Sequence, residues 1–524
     1  MIATTGITRL KPGANESCLE NEMYSNTFVS MFLGCPISNS ELPSPFLCMK
    51  SYLSTIGQRA VEPPISWLMH AALSRPKLIS LAAGFTDNAS LPVAEARAAL
   101  NQVLRSPKTG QPALQYGITA GDPALRKLTA EHLRKLDFQA VVSSSFSSSP
   151  LVLEPKSRPR LRANASARQA RTKDEDDKIY SPERLLITGG SQQLLYLTTE
   201  ALCDEGDIVL VEDPTYFVFL GILQSRGLRA RAVRLERDGL DLAHLESVLR
   251  SLKRRGELRR VKLFYLVSYF QNPTGITTSF EKKRGLVKLL KKYERAAGQP
   301  IFLLEDAAYR GLRFAGNDVP SALAAPGAAE RVIYAGTYSK PFATGVRVGY
   351  GILPQPLSAV VKHIKGNHDF GTSNLLQHLV ARALASGIYE RQVARLQKRY
   401  SHKARVMKRA IEKYFPSAVE WWEPEGGLYF WVRLPHNVPT GLKSKVFQTA
   451  LKNDVLYVAG EICYADDPAR RKPNHEMRIS FGNASEADIR EGIKRLGKVL
   501  RKFVRPDIQK RNTIWSELDN AKSW

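Results

Sequence analysis

Apolar runs alternate with helix-like patterns between residues 184 and 352, and this alternation limits the possible folds more than any other feature. The predicted strands lie at 185–187, 208–211, 263–267, 301–304 and 332–335. Because each run is apolar throughout, both faces of the sheet must be covered, which is typical of a mostly parallel α/β sheet. Ligands bind such sheets at the carboxyl ends of the strands, so we expect functional residues directly after these runs.

The 524 residues are enough for more than one domain. Residues 1–48 show no periodicity, and we predict that they are a disordered or non-native leader, with Met49 as a possible start. Residues 506–524 are predicted to be a tail. Between them we predict the N-terminal segment of a small domain at 49–110, a large ligand-binding domain at 111–353 and a small C-terminal domain at 354–505. A helical pattern at 355–415, followed by strand-like runs at 426–432 and 477–481, predicts that the last domain is α+β.

Residues 140–178 differ in character from their surroundings. A serine-rich stretch at 143–149 is followed by a mixed run of charges that ends at Lys178. We predict a disordered surface loop inserted in the large domain. A phosphorylated or partner-binding loop is the alternative.

The chain is basic, with 76 Lys and Arg against 50 Asp and Glu, a net charge of +26. Such a charge is compatible with nucleic acid as a partner. The basic residues are spread along the chain, however, and no helix-turn-helix, zinc-finger or RNA-recognition signature is found. We therefore predict a solvated basic surface and anionic small ligands, and expect no nucleic acid.

The cysteines form neither a disulfide framework nor a metal site. Cys18, Cys35, Cys48, Cys203 and Cys463 include no C-x-x-C pair, which favours a reducing compartment and no metal. No apolar run reaches the ~18–20 residues that span a bilayer, and the leader resembles neither a secretory signal nor a transit peptide. We predict a cytoplasmic protein that does not bind membranes.

Lys340 follows the last of the apolar runs and a group of hydroxyl residues. Burial disfavours the charged form of a lysine, so its amine can act as a nucleophile that forms a Schiff base. Thr337, Ser339 and Arg347 are residue types that bind phosphate. Together they suggest a lysine that binds pyridoxal phosphate.

The other strand ends carry polar or aromatic residues that fit such a cofactor. Ser191 and Gln192 open a helix whose free N–H groups suit an anion, although a Gly turn with a Ser cap is equally compatible. Tyr216 is placed to stack on a flat ring, or to be a core tyrosine. Asn272 is placed to donate to a phenolic oxygen, or to form a turn.

Three further residues suggest how a ring and an amino acid would be recognised. Asp306 is placed to pair with a pyridinium N–H, or to cap a helix, and Tyr309 to share the ring oxygen with Asn272. Arg478 stands in an apolar run, where an unpaired charge is costly, so it needs either a substrate carboxylate or a structural ion pair.

In their order, these residues resemble the class I/II aminotransferases of PLP fold type I, over about residues 55–505. Within that group, Ser191-Gln192-Gln193, Glu305-Asp306 with Tyr309, and Gln115-Tyr116 resemble the branch of 2-aminoadipate and kynurenine aminotransferases and MocR-type regulators. The resemblance implies a large domain with a mostly parallel sheet of the seven-stranded type and a smaller α+β domain. It also implies a ping-pong reaction between α-amino acids and 2-oxo acids.

The resemblance assigns a role to each residue. Lys340 is the Schiff-base lysine and proton shuttle, Asp306 pairs with the pyridine nitrogen, and Tyr216 stacks on the ring, a set that we predict to be catalytic. The resemblance also implies that Asn272 and Tyr309 bind the ring oxygen, and that the phosphate is bound by Ser191, Gln192, Thr337, Ser339 and Arg347. The implied substrate-binding residues are Arg478, Gly84 and Asn272. Tyr116 would reach the phosphate of a neighbouring subunit in a homodimer.

Three features leave the function open in part. The family's Pro-Ile-Arg motif is Pro64-Ile65-Ser66 here, which puts a dicarboxylate preference in doubt, and the sequence does not name the amino donor. A lyase or decarboxylase with the same cofactor is one alternative. A MocR-like regulator that senses pyridoxal phosphate and binds DNA is another, although no winged-helix pattern precedes the fold.

Overall fold

The computed structural model describes residues 52–147 and 173–504. The predicted leader, the predicted tail and residues 148–172 of the predicted insertion lie outside them. Contacts separate a short N-terminal unit that ends at Gln58 from a large unit that begins at Arg59. Of the short unit the structure describes residues 52–58, where helix α1 (Thr55–Arg59) begins. The domain boundaries predicted within the large unit stay predictions.

The large unit contains helices and three sheets, of two, four and eight strands. In chain order the helices are α2 (Pro64–Leu73), α3 (Val93–Val103), α4 (Pro107–Leu114), α5 (Pro123–Ser147), α6 (Lys173–Ile179), α7 (Ser191–Leu202), α8 (Phe217–Ser225), α9 (Leu242–Arg254), α10 (Phe280–Ala297), α11 (Leu357–Asp369), α12 (Asn374–Ala385), α13 (Ile388–Tyr414), α14 (Lys445–Lys452) and α15 (Glu486–Leu500). No helix in the described ranges has both the length and the apolar character needed to cross a membrane.

The strands are β1 (Ile79–Ser80), β2 (Leu185–Thr188), β3 (Ile208–Asp213), β4 (Arg229–Glu236), β5 (Gly239–Leu240), β6 (Val261–Val267), β7 (Phe302–Asp306), β8 (Val332–Thr337), β9 (Gly349–Ile352), β10 (Glu420–Trp421), β11 (Tyr429–Arg433), β12 (Val455–Leu456), β13 (Val458–Ala459) and β14 (Glu476–Ser480). Eight of them form one sheet in the order β2-β9-β8-β7-β6-β3-β4-β5. A second sheet has the order β10-β11-β14-β13, and β1 pairs with β12.

The large sheet is mostly parallel, which confirms the predicted α/β fold class. Strands β8, β7, β6, β3 and β4 run parallel to one another, while β9 is antiparallel to both β8 and β2, and β5 is antiparallel to β4. The eighth strand, beyond the predicted seven, is the two-residue β5 at the edge. In the register of the central strands, Asp306 lies opposite Val267 of β6 and Ala335 of β8. The carboxyl ends of these three strands therefore meet at one edge of the sheet.

Besides the two-residue β5, two strands of this sheet, β4 and β9, were not among the predicted runs. β4 carries arginines at alternate positions, and only its middle residues are buried, so it lacks a continuous apolar run. β9 is short and contains Gly349 and Gly351. Glycine has a low propensity for strands, so no strand was predicted here. Glycine is needed at position 349 because a Cβ there would collide with the backbone of Gly190 and Ser191.

One helix continues into the segment that was predicted to be a disordered insertion. α5 continues to Ser147, and α6 begins at Lys173, so both ends of the predicted disordered insertion are helical where the structure describes them. Residues 143–147 of the serine-rich stretch therefore continue a helix instead of starting a loop. The difference arises because low-complexity serine predicts disorder by composition alone, whereas a helix already formed is extended at low cost.

Candidate active site

Lys340 lies three residues beyond the end of β8, at the edge of the sheet where the strand ends meet. Its Nζ donates a 2.7 Å hydrogen bond to the carbonyl oxygen of Gly84. Burial of the amine, together with the positive charges of Arg347 and Arg478, lowers the pKa of Lys340 to about 8. The lysine predicted to be a nucleophile therefore has the lowered basicity that this role needs.

Arg347 and Ser339 lie beside the turn that leads into α7. The guanidinium Nη1 of Arg347 is 3.3 Å from Ser339 Oγ. Arg347 adopts a left-handed backbone conformation with φ of 49°. A Cβ on Gly190 would stand 2.7 Å from Arg347 Nη2, so the glycine allows this approach. These groups and the first N–H groups of α7 form a concave basic site.

The remaining residues predicted to bind phosphate surround the same turn. Helix α7 begins at Ser191 and continues through Gln192, with Gly190 as its N-cap and no side-chain capping bond, so the alternative of a Ser cap is not found. Thr337 Oγ1 accepts a 3.0 Å bond from Ser339 N and donates to the Val348 carbonyl. Thr337 therefore holds the backbone of the Ser339–Lys340 turn.

Asp306 ends β7 and is buried. Its Oδ2 accepts a 2.9 Å hydrogen bond from the hydroxyl of Tyr265, and its Oδ1 a 3.1 Å bond from Ala308 N. Burial raises the pKa of Asp306 to about 6, in spite of these two donors. Because no cation pairs with it within the described ranges, this carboxyl is suited to a protonated ring nitrogen.

Tyr265 is a residue that the sequence did not point to. It lies in the middle of β6 and stacks on Phe219 at a ring-centre distance of 3.8 Å. In the sequence it is one of several aromatic residues in an apolar run, and only its register shows that its hydroxyl meets Asp306.

Arg478 and Asn272 are brought together across the two sheets. Arg478 Nη1 donates a 2.6 Å hydrogen bond to Asn272 Oδ1, and Nη2 a 2.6 Å bond to the carbonyl of Ala82. Arg478 forms no ion pair in the part of the chain that the structure describes, so the alternative of a structural ion pair is not found there. Its buried Nε has no hydrogen-bond partner among those residues. A fully buried guanidinium with an unpaired donor is suited to an anionic ligand.

Three tyrosines surround this edge of the sheet. The Tyr309 hydroxyl lies 2.9 Å from that of Tyr429, a residue that the sequence predicted only as part of a strand. The Tyr429 ring lies under the guanidinium of Arg478, with its centre 4.2 Å from Cζ. Tyr216 immediately precedes α8, and burial raises the pKa of its hydroxyl.

Tyr116 does not join these residues within one chain. It is 82% exposed, and its ring packs edge-on against Phe370. Its predicted role requires a second subunit and stays a prediction.

The site fits pyridoxal phosphate on the chemistry of its residues. It combines a buried lysine of lowered pKa, a buried carboxyl with no cation paired to it in the described ranges, and two arginines whose charges lower the pKa of that lysine. No group of three or more His, Cys, Asp or Glu side chains within 52–147 and 173–504 is arranged to hold a metal ion. The two cysteines in these ranges, Cys203 and Cys463, are free and buried.

Comparison with known proteins agrees with this chemistry. The family model described as aminotransferase class I and II matches residues 154–496. The chain is 30% identical to the 2-aminoadipate transaminase of Thermus thermophilus, over 82% of this chain and 91% of that protein. It also superposes on the kynurenine aminotransferase of Pyrococcus horikoshii with a TM-score of 0.72 and 28% identity, covering 88% of this chain and 99% of that one.

Transcriptional regulators are similar as well. The helix-turn-helix regulator YisV of Bacillus subtilis is 30% identical over 62% of this chain and 62% of its own length. The similarity to the transaminase extends further along both chains. Because the family model spans more than half of the sequence, this chain belongs to the class I and II aminotransferases, whose cofactor is pyridoxal phosphate.

Proposed function

We propose that Lys340, Asp306 and their neighbours hold pyridoxal phosphate, and that the enzyme transfers an amino group from an α-amino acid to a 2-oxo acid at this site. The observation that carries the proposal is the charge around Lys340: among the described residues, the charged groups that shift its pKa are Arg347 and Arg478, both positive. Three basic groups without a carboxylate between them favour anionic ligands. A cofactor phosphate and a substrate carboxylate are two such ligands.

When bound, pyridoxal phosphate supplies a ring that withdraws electrons from the substrate α-carbon. Asp306 holds a proton on the ring nitrogen, and the Tyr265 hydroxyl fixes the orientation of this carboxylate. Asn272 and Tyr309 bind the phenolic oxygen, and Tyr216 stacks on the ring. The phosphate is held by Ser191, Gln192, Thr337, Ser339 and Arg347.

Lys340 moves the proton of the reaction. With a pKa of about 8, about a tenth of its amine is neutral at pH 7, so Nζ would be able to accept a proton from the substrate α-carbon and return it on the other half of the reaction. Arg478 orients the substrate by binding its α-carboxylate, and the backbone of Gly84 contacts the substrate beside Nζ. Both half-reactions of a ping-pong cycle use the same residues, so the second oxo acid enters the site that the first one left.

Absorbance spectroscopy and an activity screen test this proposal. Purified protein with added pyridoxal phosphate should show a visible band from the lysine-bound cofactor, and Lys340→Ala should lose both band and turnover. Borohydride reduction should fix the cofactor on Lys340, as read by peptide mass spectrometry. A wild-type protein without the band would contradict the proposal.

The amino donor is to be found by a screen of aromatic, branched-chain and dicarboxylic amino acids and 2-aminoadipate, with 2-oxoglutarate as acceptor. The same assay separates transamination from lyase or decarboxylase chemistry, because only the former converts 2-oxoglutarate to glutamate. Since position 66 is Ser, where the family motif has Arg, we expect no strong preference for dicarboxylic donors.

We further propose a cytoplasmic homodimer in which Tyr116 reaches the phosphate site of the partner. Its exposure of 82% in the single chain supports this role. Co-expression of Lys340→Ala and Tyr116→Ala chains gives the test, since a mixed dimer contains one site with both natural residues and should regain activity. A monomer in light scattering would exclude shared sites.

A regulator that senses the cofactor is the second candidate, and the similarity to YisV favours it. The buried lysine and carboxyl argue for turnover instead. A salt-dependent gel shift with DNA, together with an absence of transamination, would favour the regulator.

A further inference from the structure

Tyr429 is 1% exposed and is the first residue of β11. In the register of the antiparallel pair, Tyr429 lies opposite Ser480, and Trp431 lies opposite Arg478. Tyr429 and Arg478 are therefore diagonal neighbours on one face of the four-stranded sheet, a spacing that long side chains can bridge. The strand pairing itself brings the aromatic ring to the guanidinium.

The ring of Tyr429 supports Arg478 from one side. Its centre lies 4.2 Å from Arg478 Cζ, and the ring of Phe217 lies 5.7 Å from the same atom. Because no carboxylate pairs with Arg478 in the described part of the chain, these faces and the bonds to Asn272 and Ala82 hold its position. The aromatic support leaves the charge available to a ligand, which a carboxylate partner would not.

The hydroxyl of Tyr429 reaches two other parts of the site. It lies 2.9 Å from the Tyr309 hydroxyl, and a Cβ on residue 84 would stand 2.7 Å from the same oxygen. Gly84 is the residue whose carbonyl accepts the bond from Lys340 Nζ. One side chain therefore contacts the carboxylate-binding arginine, a ring-oxygen ligand and the segment beside the lysine.

We propose that Tyr429 is a positioning residue with two separable functions. Its ring orients Arg478 for the substrate carboxylate, and its hydroxyl donates to Tyr309, which frees the proton of Tyr309 for the cofactor oxygen. The proposal rests on the roles proposed above for Arg478 and Tyr309. Alanine at position 84 should not be tolerated as long as the hydroxyl of Tyr429 is present.

Two substitutions separate the functions. Tyr429→Phe keeps the ring, so KM for the amino donor should stay within about twofold, while the pH midpoint of the visible cofactor band should rise because Tyr309 loses its donor. Tyr429→Leu removes the ring as well, and KM should rise about tenfold or more. Tyr457→Phe is the matched control, because Tyr457 is also fully buried and its hydroxyl bonds to the Thr440 carbonyl, away from the site.

A double substitution tests the proposal through thermal stability, which is measured without enzyme activity. Gly84→Ala should lower the melting temperature of the cofactor-free protein, since its Cβ meets the Tyr429 oxygen, and adding Tyr429→Phe should recover most of that loss because the next atom is 3.8 Å away. A melting temperature that does not recover, or a Tyr429→Phe protein with the wild-type pH midpoint and a Tyr429→Leu protein with the wild-type KM, would overturn the role of Tyr429. A wild-type protein without a cofactor band would instead overturn the site assignment on which this role rests.

Discussion

Arg478 Nη1 donates a 2.6 Å hydrogen bond to Asn272 Oδ1, and this bond joins β14 of the four-stranded sheet to the loop after β6 of the eight-stranded sheet. In the site proposed above, Asn272 would therefore have two roles. Its oxygen accepts the bond from the arginine, and its amide nitrogen, for which the described ranges show no acceptor, would donate to the ring oxygen. A displacement of either sheet would change both contacts together, so substrate and cofactor recognition would depend on one alignment.

Replacement of Arg478 by lysine should therefore weaken substrate binding more than loss of one charge contact would suggest. Lysine keeps the positive charge but cannot form parallel bonds to a carboxylate while it also holds Asn272. We expect kcat/KM for the amino donor to fall by about 100-fold, which corresponds to about 2.7 kcal/mol. Steady-state kinetics measures the loss, and an Arg331→Lys protein is the control, because Arg331 pairs with Glu294 just before β8 begins, at the end of the strand opposite Lys340. An unchanged KM would remove Arg478 from the substrate site.

The pH dependence of cofactor capture should report the lowered pKa of Lys340. At a pKa of about 8, roughly a quarter of the amine is neutral at pH 7.5, against about 0.1% for an ordinary lysine. The rate at which the cofactor-free protein gains its visible band should rise about tenfold from pH 6 to 7 and level off above pH 9. Arg478→Gln removes one of the charges that lower this pKa, so its curve should move to higher pH. A wild-type rate still rising steeply at pH 10 would contradict the lowered pKa.

The sequence predicted the residues that directly follow strands. Asp306 ends β7, and Lys340 follows β8; because parallel strands end at one edge, their order along the chain is enough to place them together. Arg478 was predictable for another reason, since a charge in an apolar run requires a partner. For these three residues, the residue type and its place along the chain are enough for the prediction, and the register of the strands is not needed.

Tyr265 and Tyr429 could not be predicted in this way. Both lie within strands, where an aromatic residue most often packs in the core, and a shift of one residue in register would turn either hydroxyl to the opposite face. β4 was missed because its arginines break the apolar run; the structure shows that Arg231 pairs with Asp467, at 2.8 Å, so its charge is compensated within the fold. Such pairing between distant segments leaves no local signal.

Loss of Arg470 should destabilise the turn that carries Tyr216. Arg470 holds the carboxylate of Asp213, at the end of β3, through two bonds of 2.6 and 2.7 Å. Even so, burial raises the pKa of Asp213 to about 6. Arg470→Met leaves this carboxylate without its cation and should lower the free energy of unfolding by on the order of 3 kcal/mol at pH 8.

The cost of this change should shrink as the pH falls from 8 to below 6, because Asp213 takes a proton, first in the variant and then in the natural protein, and no longer needs the arginine. Urea unfolding at pH 5 and pH 8 measures both values. Adding Asp213→Asn to Arg470→Met is the control and should recover part of the loss at pH 8. Equal losses at both pH values would show that packing, and not charge, is what Arg470 provides.

Glu212 is a buried carboxyl whose proton should make stability depend on pH. It is 1% exposed, and its Oε2 accepts hydrogen bonds of 2.8 Å from Val267 N and 3.0 Å from Gln271 Nε2, the residue before Asn272. Burial raises the pKa of Glu212 to about 8 from the ordinary value of 4.5. Its contribution to stability is therefore fully present below about pH 4.5, declines as the pH rises, and is lost above about pH 8.

Glu212→Gln keeps the shape and the hydrogen bonds but does not titrate. The natural protein should lose on the order of a few kcal/mol relative to Glu212→Gln between pH 5 and pH 9, because a raised pKa is worth about 1.4 kcal/mol per unit. Thermal unfolding of both proteins across this range measures the difference. Glu246→Gln changes a surface carboxyl whose bond to Lys292 lowers its pKa, so its difference from the natural protein should stay flat above pH 5. Parallel curves for the natural protein and Glu212→Gln would mean that Glu212 is ionised throughout, and the loop that carries Asn272 would then be held by a charge rather than by a neutral carboxyl.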